Sequence, residues 1–197
     1  VKENGKHYVF TQLEPSDARK LLPCFDDPGY KVPLELPVTT PKGNRVFANT
    51  PETAMTPGAD GSQVTYTFAK SQPMPTYLFA LAVGPLEVVE GPSKPTRIRV
   101  IATPGKAKLG KAAMVMAAEQ LAILETWFGR RYPYEKLDLV AVPNFGPGAM
   151  ENAGLITFRE ELLLIDEANA SASQRRSVAM VMAHELAHQW FGNLVTM

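Results

Sequence analysis

The sequence is poor in cysteine and histidine and carries no excess of charge of either sign. Its one cysteine, Cys24, cannot form a disulfide within the chain, so packing must stabilise the fold. The 20 basic residues balance the 20 acidic ones, which excludes a global field that attracts nucleic acid or an anionic membrane surface. No apolar run reaches the eighteen or so residues that a membrane-spanning helix needs. A hydrophobic content of 45% over 197 residues is enough for a buried core.

The beginning of the sequence lacks both an initiator Met and the apolar segment of a signal peptide. We therefore expect that the chain is cut at this end. We favour a cytoplasmic location and leave open a signal upstream of residue 1.

Proline is unevenly distributed and divides the sequence into two parts. Of the 17 prolines, 13 lie in residues 1–95, between short runs of alternating or β-branched residues. Such runs predict strands joined by turns, and the clearest are residues 6–13, 63–69 and 77–89. We predict an antiparallel β-rich domain at residues 1–93, with the polar stretch EGPSKP at residues 90–95 as a linker or domain edge.

The second part, residues 94–197, mixes predicted strands with predicted helices. The strands are expected at residues 97–102, 137–142 and 154–158. Apolar residues at helical spacing predict a helix at residues 107–128, which ends before Gly129. The fold class is therefore α+β.

The last helix is expected to begin after Ser171. Gln174 follows three residues later, which is the pattern of a capping box. The helix should run to about Phe191, with Gly192 as its C-terminal cap.

This last helix contains an H-E-x-x-H motif formed by His184, Glu185 and His188. The histidines are four residues apart, so a helix places both imidazoles on one face, within reach of one ion. Neutral imidazole suits zinc, and a catalytic zinc normally has three protein ligands plus a water from which Glu185 can take a proton. We favour a zinc site over an ordinary polar face of a half-exposed helix.

A second motif, GAMEN, consists of Gly148, Ala149, Met150, Glu151 and Asn152 and precedes the third predicted strand. A carboxylate on a turn or strand edge can pair with a cationic group of a substrate. A solvated loop acid explains the segment equally well when it is considered alone.

The two motifs together, GAMEN followed some thirty residues later by HELAHQWFGN, resemble those of the zinc aminopeptidases of the aminopeptidase N type. These enzymes are gluzincin metallopeptidases and include the leukotriene hydrolase group. The resemblance covers nearly the whole chain, because further matching segments follow in family order. They are TQLEPSDARKLLPCFDDPGYK, PMPTYLFALAVG, TPGK, YPYEKLDLVAVPNF and ENAGLITFRE.

The resemblance implies a partial N-terminal β domain at residues 1–93, followed at residues 94–197 by the first half of a thermolysin-like α/β catalytic domain. It also implies that the partners are peptide substrates with a free N-terminus. Glu151 would bind the α-amino group with the help of Glu14, and Gln12 would line the same subsite.

The rest of GAMEN is implied to bind substrate as well. These residues are Gly148, Ala149, Met150 and Asn152. The backbone of Gly148 and Ala149 would hold the peptide in an extended conformation. In the implied reaction, zinc bound by His184 and His188 polarises the scissile carbonyl, and Glu185 moves the proton from water to the leaving amine.

The sequence departs from the family pattern at the third zinc ligand. The family supplies a Glu about eighteen residues after the second histidine, which falls near position 207, whereas the sequence ends at Met197. We therefore expect a truncated segment that is inactive by itself, binds zinc weakly and has the remainder of the parent polypeptide as its partner.

Two other functions are compatible with the motifs. One is an epoxide-opening hydrolase with aminopeptidase activity, as in the leukotriene hydrolase group. The other is a non-catalytic binding protein that keeps the fold as a recognition surface. The intact set of His184, Glu185, His188 and Glu151 argues against the second, because a scaffold does not need these side chains together.

Overall fold

The computed structural model describes residues 1–91 and 93–196. Pro92, in the predicted linker, and Met197, at the end of the predicted second domain, lie outside the described residues. The strands are β1 (Lys2–Glu3), β2 (Lys6–His7), β3 (Val9–Phe10), β4 (Lys31–Val32), β5 (Val38–Pro41), β6 (Arg45–Ala48), β7 (Glu52–Pro57), β8 (Gln63–Phe68), β9 (Met74–Pro75), β10 (Leu81–Gly84), β11 (Glu87–Glu90), β12 (Arg97–Ala102), β13 (Lys136–Val142), β14 (Ala149–Met150) and β15 (Leu155–Arg159). The α-helices are α1 (Lys111–Phe128) and α2 (Ala172–His188), and single 3₁₀ turns cover Ala18–Lys20, Thr76–Leu78, Ala107–Gly110 and Glu160–Leu162.

The N-terminal part consists of small antiparallel sheets, which confirms the predicted β-rich region. The described strands up to β10 pair as β1-β2, β3-β10-β6, β4-β9 and β5-β8-β7. Of the three predicted runs, residues 63–69 form one strand, β8, whereas residues 6–13 contain β2 and β3, and residues 77–89 contain the end of a 3₁₀ turn, β10 and most of β11. Pro85 follows β10 and has no N–H to donate, so it interrupts the strand.

A five-stranded sheet in the order β11-β12-β13-β15-β14 forms the centre of the C-terminal part. The strands β12, β13 and β15 are parallel, while β11 and β14 pair antiparallel at the two edges. Every residue of β13 (KLDLVAV) is buried, its charged residues Lys136 and Asp138 as well as its apolar ones, as expected for a central strand that is covered on both faces. The structure therefore confirms the α+β class.

Both faces of this sheet are covered. The helices pack on one face, where Val100, Leu139 and Ile156 contact a core that includes Ala117 and Leu186. The β-rich part packs on the other face, where Ile101, Val140 and Leu155 share a core with Phe47 and Leu78. The chain thus places α2 and the β-rich part on opposite sides of one sheet.

A buried ionic network joins the β-rich part to this sheet. Arg99 of β12 donates two hydrogen bonds to Asp138 of β13, at 2.6 and 2.7 Å, and a third to Glu52 of β7 at 3.1 Å. Lys136 Nζ lies 2.7 Å from Asp138 and 2.5 Å from the carbonyl oxygen of Ala48. Because each buried charge has a partner of opposite sign, the network tolerates burial and fixes the two parts against each other.

The predicted linker connects β11 to β12, which are antiparallel neighbours in the five-stranded sheet. The first strand of that sheet therefore comes from the range predicted as the N-terminal domain. A domain boundary at residues 93 and 94 stays a prediction.

The two helices differ from their predicted bounds at two ends, the start of α1 and the end of α2. The first begins at Lys111, because residues 107–110 form a 3₁₀ turn, and it ends as expected before Gly129, which has a left-handed conformation. The second begins after Ser171 as predicted but ends at His188, with Gln189 as its cap. The capping role predicted for Gly192 was therefore wrong.

The chain leaves α2 after His188 through a tight turn. The backbone N–H groups of Trp190 and Phe191 both donate to the carbonyl of Ala187, which tightens the chain into a turn. Gln189 and Trp190 are both buried, so this turn faces the protein interior. Within the described part of the chain, neither helix is long and apolar enough to cross a membrane.

The Ser171 cap gives a stability prediction. Its hydroxyl oxygen accepts a hydrogen bond of 3.1 Å from the backbone N–H of Gln174, as the capping pattern predicts. Ser171→Ala should lower the free energy of unfolding by about 1 kcal/mol, because one N–H of the first helical turn loses its acceptor. Urea denaturation measures this change, with exposed Ser173→Ala as the matched control. Equal stability of the two variants would show that the cap contributes nothing.

Candidate active site

The helix α2 brings the two histidines of the H-E-x-x-H motif together. Their Nε2 atoms are 3.2 Å apart, and His188 Nδ1 lies 3.0 Å from the carbonyl oxygen of Phe191. Two nitrogen ligands of a tetrahedral zinc, each at about 2.0–2.1 Å, are separated by about 3.4 Å. The pair therefore fits one zinc ion, with the Nδ1 of His188 oriented by a carbonyl. Residues 1–91 and 93–196 contain no group of three or more His, Cys, Asp or Glu suited to hold a metal.

Glu185 lies between the two histidines in sequence, and its side chain points into the protein. It is 5% exposed, and its Oε2 is buried without a hydrogen-bond partner among the described residues. Burial, followed by the charges of Glu151 and Glu14, raises the pKa of Glu185 to about 8. A buried carboxyl oxygen with no partner is available to bind a water or a substrate group.

The GAMEN segment lies at the free edge of the five-stranded sheet. β14 holds its second and third residues, Ala149 and Met150, and pairs with β15 on one side only. The carbonyl of Gly148 accepts a hydrogen bond of 2.9 Å from the backbone of Arg159. This carbonyl therefore faces β15, and the outer edge of β14, which has no strand partner among the described residues, is the edge open to an extended peptide.

Met150 and Asn152 have buried side chains, each 1% exposed. Met150 packs in the core beneath the β-rich part, and Asn152 Nδ2 lies 3.3 Å from Thr157 Oγ1. In this structure both side chains belong to the interior. The predicted contact of these two residues with substrate stays a prediction.

Gln12 and Glu14 of the β-rich part lie near the GAMEN segment, and their predicted contact with substrate stays a prediction. Gln12 Nε2 lies 3.5 Å from Met150 Sδ, and its buried Oε1 lacks a hydrogen-bond partner within the described ranges. Partial burial and the charge of Glu151 raise the pKa of Glu14, while His188 lowers it. Glu14 is therefore close enough to both the GAMEN carboxylate and the histidine pair to interact with their charges.

The carboxyl groups of Glu14, Glu151 and Glu185 thus lie close enough for their charges to interact. Glu151 is 7% exposed. Like charges at close range favour a cation between them, and a substrate ammonium group or a metal ion would supply it. The structure brings together these predicted residues from three distant parts of the chain.

Three further residues at the site were not found by sequence reasoning. The hydroxyl of buried Tyr77 lies near the same carboxyl groups, because burial and the charges of Glu151 and Glu14 raise its pKa to about 12. Gln189 Nε2 and Asn193 Nδ2 each lie 2.8 Å from the carbonyl oxygen of Glu151. A signal existed for Gln189, which is four residues after Glu185 and so shares its helix face. No comparable spacing marks Tyr77 or Asn193.

The chain matches two models of one protein family. The model described as the Peptidase M1 N-terminal domain matches residues 1–78. The model described as the Peptidase family M1 domain matches residues 112–197. The two matches are in chain order and leave residues 79–111, which include the predicted boundary, between them.

Individual relatives over the same residues are named aminopeptidases. Aminopeptidase M1-B of Oryza sativa subsp. japonica is 42% identical over 197 residues, which are 100% of this chain and 22% of the relative. Probable aminopeptidase 1 of Sulfurisphaera tokodaii is 43% identical over 98% of this chain and 24% of the relative. Puromycin-sensitive aminopeptidase of Caenorhabditis elegans is 42% identical over 99% of this chain and 21% of the relative. The chain thus spans about a fifth of the length of these relatives, and it belongs to peptidase family M1.

Proposed function

We propose that the protein containing this chain is a zinc aminopeptidase that removes N-terminal residues from peptides. The observation that carries the proposal is the histidine pair, with Nε2 atoms 3.2 Å apart, beside the buried carboxyl group of Glu185. Glu151 and Glu14 nearby give the site an anchor for a free α-amino group. The aminopeptidase names of the relatives support the same reaction.

The zinc ligands in this chain would be His184 Nε2 and His188 Nε2. A bound zinc ion supplies Lewis acidity to a peptide carbonyl and lowers the pKa of a water. We propose a Glu near position 207 of the full-length protein as the third ligand. The 197-residue segment alone should therefore bind zinc weakly and lack activity.

Residues of this chain would carry out proton transfer and substrate binding. Glu185 takes a proton from the attacking water and later delivers it to the leaving amine. It suits this role because it directly follows His184, one of the two proposed zinc ligands. Glu151 and Glu14 bind the substrate ammonium group, and Gln12 Oε1 can accept a hydrogen bond from one of its N–H groups. A blocked N-terminus would leave these carboxylates without a charge partner. The site therefore favours substrates with a free N-terminus, as an exopeptidase requires. The free edge of β14 holds the peptide extended.

Zinc removal from the full-length protein tests the proposal. We expect the zinc-loaded full-length protein to shorten a peptide with a free N-terminus one residue at a time, and to leave the N-acetylated peptide intact. Dialysis against dipicolinate should abolish the reaction, and one equivalent of zinc should restore it. Opening of a lipid epoxide without peptide hydrolysis would favour the leukotriene hydrolase reaction instead. Absence of both reactions in the zinc-loaded protein would favour a binding homologue.

A further inference from the structure

The main-chain carbonyl of Glu151 is held by two side-chain amides from the end of α2. Gln189 Nε2 and Asn193 Nδ2 each donate to it at 2.8 Å. Gln189 is completely buried and Asn193 is 2% exposed. Because water cannot easily replace either donor at this depth, the two hydrogen bonds fix the position of the Glu151 backbone.

Gln189 also connects this carbonyl to the backbone of the proposed proton acceptor. Its Nε2 lies 3.2 Å from the carbonyl oxygen of Glu185, one helical turn earlier. Its Oε1 accepts a hydrogen bond of 3.2 Å from the backbone N–H of Gly154. One side chain therefore contacts the helix that carries Glu185 and both ends of the turn at residues 151–154.

The same turn is also held by Asn49 of the β-rich part and by Lys136 of β13. Asn49 Nδ2 donates to the carbonyl of Ala153 at 2.9 Å, and Lys136 Nζ donates to the carbonyl of Gly154 at 2.8 Å. Gly154 has a φ of +71°, and a Cβ at this residue would lie 2.4 Å from the carbonyl oxygen of Asn49. Only glycine fits at this close approach to Asn49, and Gln189 and Asn193 connect the other side of the turn to the end of α2.

We propose that Gln189, assisted by Asn193, is a positioning residue that sets the separation between Glu151 and Glu185. This inference rests on the proposed aminopeptidase function. Removal of a single N-terminal residue requires the α-amino group at Glu151 while the scissile bond lies beside Glu185. The separation of these two side chains therefore determines whether the bound substrate has the geometry for reaction.

The test compares Gln189→Met with Gln120→Met in the full-length protein. Gln189→Met keeps the length of the side chain and removes its hydrogen bonds. Gln120 is a matched control, because its Nε2 donates to the carbonyl of Ala179 at 2.9 Å and joins α1 to α2 through one hydrogen bond. We expect Gln189→Met to raise KM and to lower kcat/KM for alanine p-nitroanilide by about 10- to 100-fold, with unchanged zinc content. Gln120→Met should change kcat/KM less than threefold.

A double-mutant cycle separates positioning from general destabilisation. In a Glu151→Gln background, Gln189→Met should lower kcat/KM less than threefold, because the anchor that it positions is already lost. An equal loss in both backgrounds, or an equal loss in Gln120→Met, would overturn the positioning role. If Gln189→Met does not fold, Asn193→Ala takes its place in the cycle, with the same expected and contrary results. Failure of the unsubstituted, zinc-loaded protein to shorten peptides with a free N-terminus would instead refute the proposed function.

Discussion

Replacing Glu185 by Gln should lower kcat for release of an N-terminal residue by a factor of about 10²–10⁴. The amide has nearly the same size as the carboxyl group but cannot accept a proton from water. The histidine pair does not depend on Glu185, since the two Nε2 atoms are placed by the helix backbone four residues apart. Zinc content, measured by atomic emission spectroscopy, should therefore stay at one ion per full-length chain while activity is lost.

The matched control for this experiment is Glu119→Gln on α1. Glu119 is exposed and lies on the helix that packs against α2. Its replacement should leave both kcat and zinc content unchanged. A Glu185→Gln variant that retains more than a tenth of the original kcat would rule out Glu185 as the proton acceptor.

Replacing Glu151 by Gln should lower kcat/KM for substrates with a free N-terminus by about 10²- to 10³-fold. Loss of one member of a buried, hydrogen-bonded charge pair typically costs 2–5 kcal/mol, and the expected loss of about 2.7–4.1 kcal/mol lies within that range. The side chain is 7% exposed, so water cannot fully replace the lost ammonium–carboxylate contact. Steady-state kinetics with alanine p-nitroanilide measures the change.

Two comparisons show whether the loss reflects amine binding. Exposed Glu167→Gln serves as the control carboxylate and should keep full activity. In Glu151→Gln the preference for the free peptide over its N-acetylated form should shrink by the same factor as kcat/KM. Unchanged discrimination between the two peptides would mean that Glu151 does not bind the α-amino group.

The local structure of the C-terminal part was largely predictable from the sequence. The bounds of β12 agree with the prediction, because a short apolar run between Pro and Gly signals leaves little alternative. The N-terminus of α2 was predicted from Ser171 and Gln174, whose hydrogen bond depends only on neighbouring residues. Its C-terminus was not, because the turn after His188 is stabilised by tertiary contacts of Gln189 and Asn193.

Contacts between distant segments were harder to predict. The spacing of His184 and His188 within one helix is sufficient to predict that they meet. Gln12 and Glu14 were assigned to the site through family resemblance alone, since Gln12 contacts a residue 138 positions away in sequence. Periodicity reports which face of an element is apolar, but it does not report which other element covers that face.

The sheet that β11 shares with β12 has a consequence for dividing this protein. Expression of residues 94–197 alone would leave the outer edge of β12 without its neighbour and with free N–H and C=O groups. Such an edge recruits other chains, so the isolated segment should aggregate. It would also lack Glu52, which would leave Arg99 with Asp138 but without its second carboxylate. Functional complementation by two separately expressed halves would thus require a cut before residue 87, ahead of β11, or one within a surface loop of the C-terminal part.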